Sequence, residues 1–178
     1  TVGFNNTQSF YNVFKKYTIQ NKFNATNLNY DSGTWLLNTL DVPYNIINKV
    51  EADLINEFKK NTNERFTYYP NSSGIMISKD VPLNPSKTKL KELKLLSGFD
   101  YFINVKGAIL KDDLGSINTT KIGNSRESNT SFVALEIYDL NQETILYSQK
   151  VIGSVSRTED NDDIHFSKTS KEILLKSF

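Results

Sequence analysis

The chain contains no cysteine. That excludes disulfide bridges, thiolate-held zinc and a thiol nucleophile. Histidine is nearly absent as well: His165 is the only one. A Ser-His-Asp relay would have to run through it, with Asp160, Asp162 or Asp163 orienting the ring. No G-x-S-x-G elbow accompanies it. Neither sign of charge is in excess, with 21 Lys and Arg against 20 Asp and Glu. A net charge of +1 provides no field to gather nucleic acid, so no nucleic-acid partner is expected. No run of about 18 apolar residues occurs, so no helix is expected to cross a membrane. Neither G-x-x-x-x-G-K nor G-x-G-x-x-G is present to cradle a phosphate. The acidic stretch DNDDIH (160–165) fails as a calcium loop, because its sixth and twelfth positions are His165 and Lys171 where glycine and glutamate are required. No catalytic residue, cofactor or metal is therefore expected.

What the sequence does contain is a pattern of elements. Its 178 residues suit one domain, and a 12% aromatic content supplies large buried areas despite an apolar fraction of only 38%. Residues 14–23 read as a first strand, and 24–35 as loop. Helical spacing of Ile47, Val50, Leu54 and Phe58 predicts a helix over 41–61, with Asp41 as cap and Pro43 in its first turn. A short aromatic strand at 65–70 follows. Leu90, Leu93 and Leu96 predict an inward stripe on a second helix over 86–98, capped by Ser86 and ended by Gly98. Alternation then predicts strands at 100–110, 131–140 and 144–156, the last two forming a hairpin. Residues 111–130 read as a polar loop, with too few bulky aliphatics for the outward band of a membrane barrel. A closing helix is expected over 167–178, with a capping box from Thr169 to Glu172.

The expected fold is thus a single α/β domain over 1–178. It has a mixed five-stranded sheet in the order β-α-β-α-β-β-β-α, with about three helices. The first three strands are expected to be parallel neighbours joined by crossovers, with the helices on one face or both. Residues 1–42 supply an N-terminal arm, first strand and loop, and 43–178 supply the core.

Two stretches carry a resemblance. In LLSGFDYFINVKGAI, a leucine-rich helix is followed by Ser97, Gly98, Phe99, Asp100 and Tyr101, then by the apolar Phe102 and Ile103 and by Gly107. In FVALEIYDLNQETILYSQKVIGSV, a strand with Leu135, Ile137 and Tyr138 runs into Asp139 and Asn141. Ile145, Leu146, Tyr147 and Ser148 follow. This succession resembles a group of bacterial envelope proteins that includes the N-terminal domain of TolB, the lipoprotein LpoB and the curli secretion protein CsgG. In element order the resemblance spans 43–178. It implies a non-catalytic binding or adaptor domain of an envelope lipoprotein, docking a protein partner or a cell-wall component. The location it implies is the periplasm, with a tether to the outer membrane. The chain opens at Thr1 without a charged-then-apolar leader. It is read as a mature form whose lipid-anchoring cysteine lies upstream.

The residues singled out for partner binding are the aromatics outside the strands, Phe4, Phe10, Tyr11, Tyr30 and Trp35, and the lysines Lys87, Lys91 and Lys94. The aromatics either cover the sheet or form a contact surface. The lysines recur at i, i+4 and i+7 opposite the leucine stripe, where they either face solvent or meet phosphate groups. Two other functional classes remain open. One is a hydrolase using Asp100, Asp139 or His165. The other is a lipid or lipopolysaccharide carrier with an apolar cavity ringed by the three lysines.

Overall fold

The tripeptide Trp35-Leu36-Leu37, fully buried on both sides, forms the strand next to one edge of a six-stranded mixed sheet. The protein is described here from a computed structural model over residues 14–24, 28–112 and 128–156. In chain order the elements are β1 (Phe14–Asn24), β2 (Trp35–Leu37), α1 (Tyr44–Thr62), β3 (Phe66–Tyr68) and a 3-10 turn at Tyr69–Asn71. These are followed by α2 (Lys87–Ser97), β4 (Tyr101–Asp112), β5 (Ser128–Asp139) and β6 (Thr144–Ser156). The strands lie in the order β1-β6-β5-β4-β2-β3. The β2 strand pairs in parallel with both β3 and β4, while β4, β5, β6 and β1 form an antiparallel run. No helix of the described residues is long and apolar enough to cross a membrane.

This arrangement corrects the expected topology. The sheet has six strands, not five, and the first strand is no parallel neighbour of the next two. It lies at the far edge, antiparallel to β6, with Phe14 opposite Ser156. The strand missing from the sequence reading is β2, which fell at the end of an expected loop. Three residues are too few to display alternation, and a strand covered on both faces has none to display. β4 and β5 are also longer than expected and take in Lys111, Asp112 and Ser128–Thr130. Two helices lie among the described residues; the expected closing helix over 167–178 lies outside them.

Each helix covers one face. On the first face, Trp35, Leu37, Ile103, Val105, Val133 and Ile137 pack with Ile46, Val50 and Phe58 of α1. On the other, Leu36, Phe102, Tyr138 and Leu140 pack with Leu90 and Leu93 of α2. Adjacent strand residues point to opposite faces, so Trp35 and Leu36 serve different cores. Asp41 is not the cap of α1. It forms a parallel bridge with Lys106, its N–H donating to the Val105 carbonyl at 3.1 Å and its carbonyl accepting from Gly107 N at 2.8 Å. Pro43 takes the N-cap position without a side-chain hydrogen bond.

An irregular stretch from Ser72 to Pro85 joins the 3-10 turn to α2 and covers part of the second face, with Ile77 and Val81 buried. Side chains of the sheet hold it by its backbone. Asn38 Nδ2 donates to the Lys79 carbonyl at 3.1 Å, and Asn104 Nδ2 donates to those of Val81 and Pro82 at 3.0 and 3.3 Å. Asn84 N donates to Glu136 Oε2 at 2.9 Å and to the Tyr138 hydroxyl at 3.1 Å. Tyr138 in turn donates to Glu136. These polar groups interrupt core strands because a segment without a ladder of its own must find partners elsewhere.

Gly33 precedes β2 with φ +71°, and a Cβ there would lie 2.5 Å from Tyr101 Cε2. The Tyr101 ring stacks on Trp35 at 4.3 Å, so it has little room to retreat. Gly98, at φ +77°, has open space around it. Gly98→Ala should cost about 1 kcal/mol, the ordinary price of a left-handed alanine. Gly33→Ala should cost about 2–4 kcal/mol, because overpacking adds to the backbone strain. Urea unfolding of the two variants checks this; equal losses would contradict it.

Candidate functional site

The helix α2 is held at both ends. At its start, Ser86 Oγ accepts from Lys89 N at 3.3 Å. At its end, Gly98 N donates to the Lys94 carbonyl at 2.8 Å. Both caps follow the sequence reading. Asp100 then ties this end to two other elements. Its Oδ1 accepts from Lys94 Nζ at 2.9 Å and from Asn141 Nδ2 at 3.1 Å. Its Oδ2 accepts from Thr34 N and Thr34 Oγ1, each at 3.0 Å. Its own N–H donates to the Thr34 carbonyl at 3.1 Å, and its carbonyl accepts from Leu140 N at 2.8 Å. The start of β2, the end of α2 and the β5–β6 turn therefore meet on one carboxylate. The Lys94 ammonium, with help from Asn141 and Thr34 and against some desolvation, holds the Asp100 carboxyl well below its ordinary range.

Asp139 is similarly engaged. Its Oδ1 accepts from Asn141 N at 2.8 Å and from Gln142 N at 2.9 Å, closing the β5–β6 turn. Both carboxylates considered for hydrolysis thus serve turns, as acceptors of backbone and side-chain donors. The third group, His165, lies outside the described residues with Asp160, Asp162 and Asp163.

The residues singled out for partner binding are dispersed. Trp35 is a core residue and offers no surface: Tyr30 stacks on it at 5.1 Å and Tyr101 at 4.3 Å. Its indole N–H donates to the Ser32 carbonyl at 3.1 Å. Tyr30 is half-buried as part of that cover. Phe4, Phe10 and Tyr11 lie outside the described residues. Lys94 is committed to Asp100, whereas Lys87 and Lys91 are exposed and form no ion pair among the described residues.

What the sequence reading missed lies beside those two lysines. Leu96, expected to face inward, is 45% exposed, and Leu95 is 76% exposed. The inward row is Leu90, Leu93 and then Ser97, whose Oγ donates to the Leu93 carbonyl at 2.6 Å. From Leu93 the helix therefore turns inward at i+4 instead of i+3. Lys87, Lys91 and Leu95 stand at i, i+4 and i+8 and form one outward stripe, while Leu96 lies roughly 100° further round, beside the exposed Glu92 at i−4. The available signal was the pair of adjacent leucines, since a narrow inward stripe cannot accommodate both.

On the opposite face of the sheet a cleft of about 160 Å³ opens beside α1, lined by Leu54, Val105, Val133, Leu135, Tyr147, Gln149 and Val151. It is smaller than the roughly 300–1,000 Å³ typical of small-molecule sites. The α2 lysines are on the other side of the sheet.

No family model matches the chain. No curated protein matches it. Among solved structures it is similar to a PelC dodecamer from Paraburkholderia phytofirmans, at 12% identity and TM-score 0.42, over 91% of this chain and 94% of that one. It is also similar to the lipoprotein GNA1162 from Neisseria meningitidis, at 10% identity and TM-score 0.39, over 74% and 88%. A third is the hypothetical protein CT253 from Chlamydia trachomatis, at 12% identity and TM-score 0.40, over 74% and 77%.

Asp100 has a testable pH signature. Its folded-state value is depressed, so the stability it contributes is present above the ordinary carboxylate value near 3.8 and is lost as pH falls below it. Asp100→Asn should destabilise the protein at pH 6 by about 1–2 kcal/mol, a figure reduced for a side chain about one-third exposed. In urea unfolding from pH 6 to pH 2, the gap between wild type and Asp100→Asn should narrow progressively once the pH falls below about 4. A gap that stays constant would show that the carboxylate's charge is not what binds the three elements.

Proposed function

We propose that the chain is a non-catalytic adaptor domain of the bacterial envelope, belonging with the TolB, LpoB and CsgG group, and that it docks a protein partner through the outward face of α2. The observation that carries this reading is the outward stripe of Lys87, Lys91 and the exposed Leu95, its lysines in no ion pair among the described residues, on a helix whose two ends are fixed. Apolar side chains exposed on a rigid, capped element lose little entropy on binding. Two free ammonium groups beside them select for a partner whose rim is acidic. The group membership rests on the motif residues around Asp100 and Asp139, which touch one another through Asn141.

The other two classes fit less well. A hydrolase would need carboxylates free to meet substrate, and Asp100 and Asp139 are both consumed by turns. A lipid carrier would need its cavity and its lysines on one side, and the described cleft lies across the sheet from α2. The proposed setting is the periplasm, with a tether to the outer membrane.

A photo-reactive phenylalanine analogue at Leu95, introduced in the source bacterium, should cross-link to one envelope protein. The yield should fall roughly tenfold when Leu96→Glu and Lys91→Glu are added, consistent with a loss of about 1.4 kcal/mol. The same analogue at Lys49, exposed on α1, should give no such product. Equal products from both positions, or none from Leu95, would overturn the reading.

A further inference from the structure

The two edges of the sheet differ in kind. At one, β3 is three residues long, and its Phe66 and Tyr68 are buried in the α1 core. So short an edge offers little to another strand. At the other lies β1, 11 residues long and paired on one side only, with β6. From Phe14 to Gln20 its register against Ser156 to Lys150 is unbroken, and the irregularity comes later, between Gln20 and Lys22. Over that run of about 23 Å the outer backbone edge meets no other strand of the described residues. The side chains of the run are sorted by face. Tyr17 and Ile19 share one face and are 42% and 56% exposed. Ile19 stands opposite Val151, a wall of the cleft. Lys16 and Gln20, both exposed, lie on the other face. Gln20 pairs with Lys150, which puts Lys150 on the Lys16 face, over the Phe132 ring at 4.6 Å. Neither Lys16 nor Lys150 forms an ion pair among the described residues, and neither strand contains an aspartate or glutamate.

We infer that this edge receives an extended segment of a partner protein, paired backbone to backbone with Phe14–Gln20, in which apolar and acidic residues alternate. Main-chain hydrogen bonds hold such a strand, and its alternate side chains give it specificity. The apolar set lies beside Tyr17 and Ile19 and continues the apolar surface from the cleft. The acidic set lies on the side of Lys16 and Lys150, where opposite charges across strands are stabilising. A second copy of β1 is a poor occupant, because the only charges it brings are lysines. The same lysines that keep the edge from pairing with itself therefore select what it accepts. The edge is separate from the α2 stripe, since α2 packs on β2, β4 and β5, so this inference does not rest on the docking role given to that helix.

A fluorescein-labelled peptide of about seven residues, alternating valine and glutamate, is the probe, and the full chain is the receptor. The peptide should bind saturably, and its valine–lysine counterpart should bind at least roughly tenfold more weakly. Lys16→Glu with Lys150→Glu should reverse that order, and the gain of the lysine peptide shows that the variant is folded. Lys16→Gln alone, a milder change at an exposed site, should weaken the acidic peptide several-fold; no change would contradict the inference. Methylating every valine amide of the peptide, or every glutamate amide, should abolish binding in one case and spare it in the other, since alternate N–H groups of a strand point to opposite sides. Equal binding of the two peptides, binding that survives both methylations, or no binding of the acidic peptide overturns the inference. Lysine-dependent binding to vesicles of anionic phospholipid, without peptide binding, would assign the edge to a membrane and overturn it as well.

Discussion

The carboxylate of Asp100 is the joint on which the rest of the architecture turns. One oxygen holds the segment entering β2, and the other holds the last turn of α2 and the turn between β5 and β6. Without it, β2 and β4 would lose the clasp that sets their parallel register at Trp35 and Tyr101. Parallel strands need such a device more than hairpins do, since no tight turn fixes their alignment. An ionised acid suits the task. It accepts four hydrogen bonds at once, and its charge strengthens each of them.

A second set of polar residues does for the irregular stretch what Asp100 does for the strands. Asn38, Asn104 and Glu136 stand in β-structure or at its edge, where apolar side chains would ordinarily be expected. Each reaches a backbone group of residues 79–84. Burying them is tolerable because the segment they bind has no ladder of its own. The same contacts stiffen the approach to Ser86 and so help fix where α2 begins. The outward stripe of Lys87, Lys91 and Leu95 is therefore presented by a frame secured at both ends, which is what a docking surface requires.

Much of this frame was legible in the residues. Ser86 and Gly98 mark the ends of α2 because capping chemistry is local, and the β5–β6 hairpin is plain from its alternation and turn. The features that were not legible depend on distant partners. Trp35 resembles a surface aromatic in a turn-rich stretch, and only the arrival of Tyr30, Tyr101 and Phe66 makes it the centre of a core. The parallel pairing of β2 cannot be read from three residues. The position of β1 was assigned by counting helices between strands, a rule that fails when a short strand intervenes unseen. Leu96 was assigned inward by continuing a three-residue step, whereas the helix closes its inward row at Ser97. Of the stripe proposed for docking, the sequence reading singles out Lys87 and Lys91 and leaves Leu95 unassigned, because adjacent leucines do not show which of the two turns outward.

The pairing of β1 with β6 has a consequence for how the chain reaches this state. Phe14 opposes Ser156, so the first described strand waits for the last one. Contacts so remote in sequence form late, since their loop entropy must be overcome after more local structure has condensed. During synthesis the N-terminal strand therefore emerges long before its partner exists. Until β6 is released, that strand carries an unmatched row of backbone donors and acceptors together with Tyr17, Ile19 and Phe23. Such an edge is a template for pairing with other chains. The strand's sequence is interrupted by Lys15, Lys16 and Lys22, and charge in such a strand disfavours indiscriminate association.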